Sequence, residues 1–139
     1  MAIHFHNEDI DFKISKPQII RKWLLGAIQK SNFKCGDISI VFCTDDYLLT
    51  INKQYLKHDY YTDVITFDYS EAGKISGDIL ISIDRIRENA QLFGVTFDLE
   101  LQRILIHGIL HLLGFTDDTA SERMGMTVKE NEFLEMLKL

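Results

Sequence analysis

The chain has 139 residues, of which 46% are apolar, 26% are charged and 11% are aromatic. This length and composition predict a single domain over residues 1–139 with a core of its own, and they exclude disordered and collagen-like chains. The formal net charge of −6 argues against indiscriminate nucleic-acid binding. No apolar run reaches the roughly 20 residues of a membrane span, and the first residues lack the pattern of a secretory signal. We therefore expect a cytoplasmic protein without membrane contact, whose two cysteines, Cys35 and Cys43, are reduced thiols without a disulfide partner.

The first half of the chain alternates between predicted strands and helices. Residues 3–5 are a candidate edge strand, and Ser15 with Pro17 indicates the start of a helix. Residues 37–43 alternate like a half-buried strand, and Thr44 caps a second helix that extends to about Tyr55. We expect the first helix to direct five apolar residues toward the core: Ile19, Ile20, Trp23, Leu24 and Ala27.

The second half predicts a hairpin followed by three helices. Residues 64–67 and 79–83 are rich in β-formers, and the polar segment 70–74 between them is a natural turn. A helix then ends near Gly94, another begins at Thr96, and a capping box at Thr119 and Glu122 starts the last one. The fold class predicted is α+β, a small mixed four-stranded sheet covered by helices.

Residues 12–36 contain no acidic residue but six basic ones. This segment, which includes Arg21 and Lys22, is a candidate contact for a polyanion. The alternative is that these side chains form only the solvated face of an amphipathic helix.

Residues 99–118 contain the chemically informative pattern. The predicted helix is apolar on almost every side, yet it carries His107 and His111 four residues apart, on one face and one turn apart. Two imidazoles at this spacing can bind one metal ion. The alternative is a pair of buried histidines that only bond to backbone carbonyls.

The residues that follow favour the metal. Gly114 can end the helix and reverse the chain, and Asp117 completes the run His-x-x-x-His-x-x-Gly-x-x-Asp, which has the spacing of the metzincin zinc signature. Asp118 is the alternative third ligand. Three protein ligands leave one position open, as in catalytic zinc sites. Metalloproteases carry Glu after the first His, where this chain has Gly108, so peptide hydrolysis by that route is not expected.

Residues 107–117, His-Gly-Ile-Leu-His-Leu-Leu-Gly-Phe-Thr-Asp, resemble the signature of the YbeY family of bacterial rRNA maturation factors. Further blocks in family order are residues 52–55, 58–59, 62–67 and 77–79. The chain departs from the family at Asp117, where the family has a third histidine, and at Leu56, where it has an arginine. An anionic oxygen ligand lowers the positive charge of the site and makes bound water less acidic.

The resemblance implies a zinc-dependent, single-strand-directed endoribonuclease that acts in small-subunit rRNA processing and ribosome quality control. Its fold would be zincin-like, with one Zn²⁺ per chain held by His107, His111 and Asp117 at the end of a buried helix. RNA, in particular small-subunit rRNA, and the ribosome are the expected partners.

The sequence identifies no clear general base and leaves two other functions open. His58, Asp63 and Asp78 are catalytic candidates, although Asp63 and Asp78 have equally ordinary structural roles in turns and hydrogen bonds. The RNA-binding candidates are Arg21, Lys22, Lys53 and Lys57. The alternatives are a ribosome-assembly binding module with a structural metal and negligible cleavage, and a metal-dependent hydrolase of another substrate.

Overall fold

A four-stranded mixed sheet forms the centre of the protein in a computed structural model that describes residues 2–137. The elements in chain order are β1 (Ile3–Asn7), α1 (Pro17–Lys30), β2 (Lys34–Cys43), α2 (Asp45–Leu56), β3 (Val64–Asp68), β4 (Lys74–Ser82), α3 (Ile83–Phe93), α4 (Phe97–Leu112) and α5 (Ala120–Met136). The strand order is β1-β2-β4-β3, with β1, β2 and β4 parallel and β3 antiparallel to β4. The predicted fold class and the β3–β4 hairpin are confirmed.

The two faces of the sheet are covered differently. Alternation in the strands sends Ile38, Ile40 and Ile79 into the main core, which α1 and α4 complete. The opposite face packs a smaller cluster around Leu48 of α2 and Leu80 of β4. Because α4 lies on the more apolar face, it is buried along most of its length.

The helix ends follow their sequence signals. Thr44, Ser82, Thr96 and Thr119 each accept a hydrogen bond from a backbone N–H of the first turn, and Thr119 forms the predicted capping box with Glu122. One core prediction is wrong: Ile19 is 40% exposed, because its neighbour Ile20 takes the buried face of α1. Within residues 2–137, no helix is long and apolar enough to cross a bilayer.

Both cysteines are free thiols, of which Cys43 is buried and Cys35 partly buried. Burial raises the pKa of Cys43 to about 12, and several carboxylates, Asp9 and Asp84 among them, add to the shift. This thiol is therefore protonated at neutral pH and serves as a small core residue.

Candidate metal centre and cleft

Helix α4 presents both histidines on a part of its surface that faces a cleft. Thr96 caps the helix, and its apolar residues bury most of the other sides. Gly108 faces the sheet, where a Cβ atom on it would lie 2.8 Å from Cγ2 of Ile79. This close approach of α4 to β4 fixes the height of His107 and His111 above the sheet.

A glycine turn brings the third ligand back to the histidines. Gly114 has φ +102°, which a residue with a side chain rarely adopts. The Gly114 N–H donates to the His111 carbonyl at 3.0 Å and the Phe115 N–H to the Leu110 carbonyl at 3.0 Å, the two bonds of a Schellman motif. The chain reverses here and places Asp117 beside the helix it has just left.

The three predicted ligands converge on one point. Nε2 of His107 and Nε2 of His111 lie 3.0 Å apart, and Oδ2 of Asp117 lies 3.4 Å from each. Tetrahedral zinc with bonds of about 2.0–2.1 Å holds its ligand atoms about 3.3 Å apart. The observed triangle therefore fits a zinc-sized cation. Among residues 2–137, these three side chains are the one His/Cys/Asp/Glu group with this convergence.

The hydrogen bonds of the two rings also indicate a cation site between them. Nδ1 of His107 lies 2.6 Å from a carboxylate oxygen of Glu130, and Nδ1 of His111 lies 3.1 Å from the carbonyl oxygen of Phe115. Both partners accept hydrogen bonds, so each Nδ1 carries a proton, and in the neutral form of the rings the lone pair of each Nε2 faces the other ring. Two facing lone pairs at 3.0 Å repel unless a cation or an added proton lies between them.

The charges around the centre favour a cation. Burial by itself lowers the pKa of His107, but the hydrogen bond and charge of Glu130, together with Asp117, raise it above the ordinary value. Burial raises the pKa of Asp63 and also that of Glu100. Positive charge added beside His107 favours the ionised form of Asp63, which burial disfavours.

Asp117, rather than Asp118, is the aspartate that joins the histidines. The side chain of Asp118 is exposed and lies outside the convergent group. Its backbone N–H donates to Glu122 at 3.1 Å, and Arg123 donates to the carbonyl oxygens of both aspartates. The capping of α5 thus fixes the turn that aims Asp117 at the histidines.

The centre lies in a cleft of about 580 Å³ between β3, the end of α2 and α4. Besides the three ligands, the cleft is lined by Asn52, Leu56, His58, Tyr60, Thr62, Asp63, Val64, Ile65, Thr66 and Asp68. Asn52 is buried and donates to the Tyr60 carbonyl at 2.9 Å, and its own carbonyl accepts from the His58 N–H at 3.1 Å. These bonds hold the loop after α2 over the cleft.

Strand β3 gives the cleft a wall with outward-facing backbone groups. The Ser82 N–H donates to the Asp63 carbonyl and the Tyr69 N–H to the Ser76 carbonyl, so odd-numbered residues bond to β4. In an antiparallel pair the residues between them turn their backbone groups the other way. The backbone donors and acceptors of Thr66 and Asp68 therefore point toward the open edge of the sheet.

Two of the three catalytic candidates lie in the cleft. Asp63 is half-buried and accepts from Asn89 at 3.4 Å, and His58 is exposed, with Nδ1 3.0 Å from the Tyr60 hydroxyl. Asp78 lies elsewhere, contrary to expectation. It accepts from the Tyr69 hydroxyl at 3.2 Å and lines a separate groove on the α2 face of the sheet.

The basic candidates divide into two places. Lys53 pairs with Asp59 at 3.2 Å, and Lys57 ends α2 in the left-handed conformation, next to cleft residues Leu56 and His58. Arg21 instead donates to the Ile3 carbonyl at 3.0 Å, and it lines a groove with Lys22 at the β1 edge of the sheet. The structure therefore does not bring Arg21 and Lys22 to the cleft.

The sequence analysis missed Glu130 and Arg103. Glu130 is 6% exposed, and its second oxygen accepts from Arg103 at 2.9 Å. A signal existed: Glu130 stands between Met126 and Phe133, at the spacing of the buried face of α5. A carboxylate on an apolar stripe needs a buried partner.

Comparisons with known proteins match nearly the whole chain. A family model described as "Endoribonuclease YbeY" matches residues 2–138. A protein named Endoribonuclease YbeY from Parabacteroides distasonis is 47% identical over 137 residues, covering 99% of this chain and 96% of its own. A protein of the same name from Christiangramia forsetii is 48% identical over 130 residues, covering 94% of this chain and 90% of its own. The solution structure of TM1509 from Thermotoga maritima matches with a TM-score of 0.67 and 26% identity, over 97% of this chain and 88% of that chain. The predicted resemblance is confirmed.

Proposed function

Because the chain belongs to the endoribonuclease YbeY family, we propose that it is a zinc-dependent endoribonuclease that cleaves single-stranded RNA during small-subunit rRNA maturation and ribosome quality control. The observation that carries the proposal is the convergence of the His107, His111 and Asp117 ligand atoms in an open cleft. The proposal treats residues 1–139 as one such domain, acting in the cytoplasm with RNA and the ribosome as partners.

His107, His111 and Asp117 are the proposed ligands of one Zn²⁺. A divalent cation held there supplies Lewis-acid charge to a phosphoryl oxygen and makes water more acidic. The carboxylate of Asp117 keeps the net charge of the ligand set lower than three histidines would. The protein therefore depends on other cleft residues for proton transfer.

Asp63 is the residue we assign as general base. It lies in the same cleft as the ligands, and burial raises its pKa, which makes the carboxylate a stronger proton acceptor than an exposed aspartate. The amide of Asn89 orients it from α3. His58 is another cleft residue able to accept a proton, and its hydrogen bond to Tyr60 holds the ring in place.

RNA is proposed to lie along the cleft, with its phosphates near Lys53 and Lys57. The ring of Tyr60, which is 56% exposed, offers a stacking surface, and the outward backbone groups of β3 offer donors and acceptors to base edges. Arg21 and Lys22 would contact only a longer RNA that crosses to the far edge of the sheet. Binding that depends on these cations weakens as salt rises.

Cleavage of a short single-stranded RNA tests the proposal. The native protein, the metal-stripped protein and the His111→Ala variant are incubated with the RNA, with and without added Zn²⁺. We expect cleavage by the native protein only, restored by Zn²⁺ in the stripped protein and not in the variant. Equal cleavage by all three preparations would identify a contaminating nuclease and refute the proposal.

One observation favours a second function. Leu56 lines the cleft and is 41% exposed at the position where the resemblance leads one to expect an arginine. A cleft without this charge suits a ribosome-assembly binding module whose metal only stabilises the helix turn. Ribosome association that survives metal removal, together with no cleavage under any condition, would support this function instead.

A further inference from the structure

The structure points to Glu130, held by Arg103, as a positioning residue for the metal centre. We propose that this pair fixes His107 as the tautomer with its proton on Nδ1 and thereby presents the lone pair of Nε2 to the metal. The inference rests on the proposed metal binding at this site. It assigns a function to a residue of α5 that touches neither the metal position nor the cleft.

The contact between Glu130 and His107 is short and shielded from water. Oε2 of Glu130 lies 2.6 Å from Nδ1 of His107, and the side chains are 7% and 17% exposed. An ionised carboxylate has no proton to donate, so the hydrogen of this bond belongs to Nδ1. The opposite nitrogen of the ring, Nε2, must then be the one that faces His111 and Asp117.

Arg103 orients the Glu130 carboxylate for this bond. One guanidinium nitrogen donates to Oε1 of Glu130 at 2.9 Å, and another donates to Oδ1 of Asn131 at 2.8 Å. A planar fork with two acceptors on α5 has a fixed orientation, which a lysine cannot reproduce. The carboxylate therefore accepts from the guanidinium on one oxygen and from the imidazole on the other.

The two histidines differ in the strength of their support. His111 donates to a backbone carbonyl at 3.1 Å, whereas His107 donates to a buried carboxylate at 2.6 Å. A carboxylate partner makes an imidazole a more basic ligand and holds its ring plane, and loss of such a partner typically costs about 10–100-fold in metal affinity. Glu130 thus supplies electron density to the centre without occupying a coordination position.

A purely structural role for Glu130 is the competing explanation. The residue ties α5 to α4, and removing one partner of a buried ion pair destabilises a fold. Stability measurements alone would not separate the two roles. The ring tautomer does separate them, because a tie between helices does not decide which ring nitrogen carries the proton, and the metal affinity then shows the consequence.

The test uses Glu130→Gln, with Glu135→Gln on the exposed side of the same helix as the matched control. A glutamine fits the space but can turn its NH₂ toward Nδ1, which would move the ring proton to Nε2. The affinity for Zn²⁺ is measured by competition with a chromophoric chelator, and the His107 tautomer by ¹H–¹⁵N NMR of the metal-free protein. Urea unfolding checks that each variant is folded.

We expect Glu130→Gln to bind Zn²⁺ about 10–100-fold more weakly than the native protein. Glu135→Gln should bind Zn²⁺ within about twofold of the native affinity, a much smaller change than the loss of about tenfold or more expected for Glu130→Gln. Native His107 should carry its proton on Nδ1, and the variant should lose that preference. Equal Zn²⁺ affinity in a folded Glu130→Gln protein, or a neutral native His107 with its only proton on Nε2, would overturn the inference.

Two features keep the test decisive. If Glu130→Gln does not fold, the tautomer of the native protein still decides, and Arg103→Gln provides a milder variant whose affinity should fall between the two. Failure of the proposed function is distinguishable, because it appears as absence of Zn²⁺ binding or of RNA cleavage in the native protein. Neither outcome depends on Glu130→Gln.

Discussion

Gly108 provides the sharpest test of how the fold positions the centre, through the substitution Gly108→Ala. In an exposed helix interior, Gly→Ala stabilises a protein by about 1 kcal/mol. At Gly108 the new methyl group would lie 2.8 Å from Cγ2 and 2.9 Å from Cδ1 of Ile79, a side chain that is fully buried. Because Cγ2 is attached directly to the branched Cβ, it has no separate torsion by which to move away.

The magnitude follows from two opposing effects. Overpacking of a core by one methyl group costs about 1–3 kcal/mol. After the helix-propensity gain of about 1 kcal/mol, the net destabilisation is about 0–2 kcal/mol. Gly26→Ala in α1 is the matched control, since nothing lies within 4 Å of its Cβ position. It should stabilise the protein by about 1 kcal/mol, so the two variants should differ by about 1–3 kcal/mol.

Urea unfolding of both variants measures this difference, and a double-mutant cycle with Ile79→Ala identifies its origin. Removing the Ile79 side chain costs about 2–5 kcal/mol by itself but deletes all three close carbon atoms. In that background Gly108→Ala should become stabilising. If Gly108→Ala is as stable as Gly26→Ala, or if the sign does not reverse, the packing explanation is wrong.

Three further predictions concern single groups. Asp117→Ala should abolish specific Zn²⁺ binding in a chelator competition while Asp118→Ala binds normally; loss in both would mean that the turn, not the ligand, is responsible. Asp63→Asn should lower RNA cleavage about 10²–10⁴-fold, as expected for a general base. It should also raise the melting temperature of the metal-free protein at pH 7 but not at pH 3. A raised folded-state pKa penalises the ionised form only above the ordinary value of 3.8, so a gain at pH 3 would contradict the assignment. At pH 8, iodoacetamide should label Cys35 before Cys43, as mass spectrometry can show, because burial raises the pKa of Cys43 to about 12.

Local patterns in the sequence predicted most of the elements and the three side chains that converge in the candidate metal site. Capping residues, apolar alternation and the single proline act within a few residues, which makes them readable without a structure. The same holds for His107, His111 and Asp117, because a helix turn and a glycine turn join all three within eleven residues of chain.

Contacts between distant elements were not readable in this way. Glu130 reaches His107 across 23 positions, and only packing of α5 on α4 brings them together. The prediction that Asp78 faces the cleft was wrong for another reason. Alternation in β4 placed Ile79 and Ile81 on one face, and the apolar helix α4 had to cover that face, so Asp78 had to point to the other side. The alternation of β4 could be read from the sequence, but the face of the sheet on which α4 packs could not.

The packing of Gly108 also decides which element can supply a base to the reaction. In metalloproteases with this spacing, the residue after the first histidine is the glutamate that serves as general base. Here that position packs against Ile79 of the sheet, so the side chain of a glutamate at this position would point into the core and not into the cleft. In the proposed reaction, the proton acceptor therefore comes from another wall of the cleft. Asp63, just before β3, and His58, in the loop after α2, are the two predicted catalytic candidates that line it. In metalloproteases the base therefore lies on the metal-binding helix itself. In the reaction proposed here, the base lies outside that helix, in the wall of the cleft along which we propose that the RNA lies.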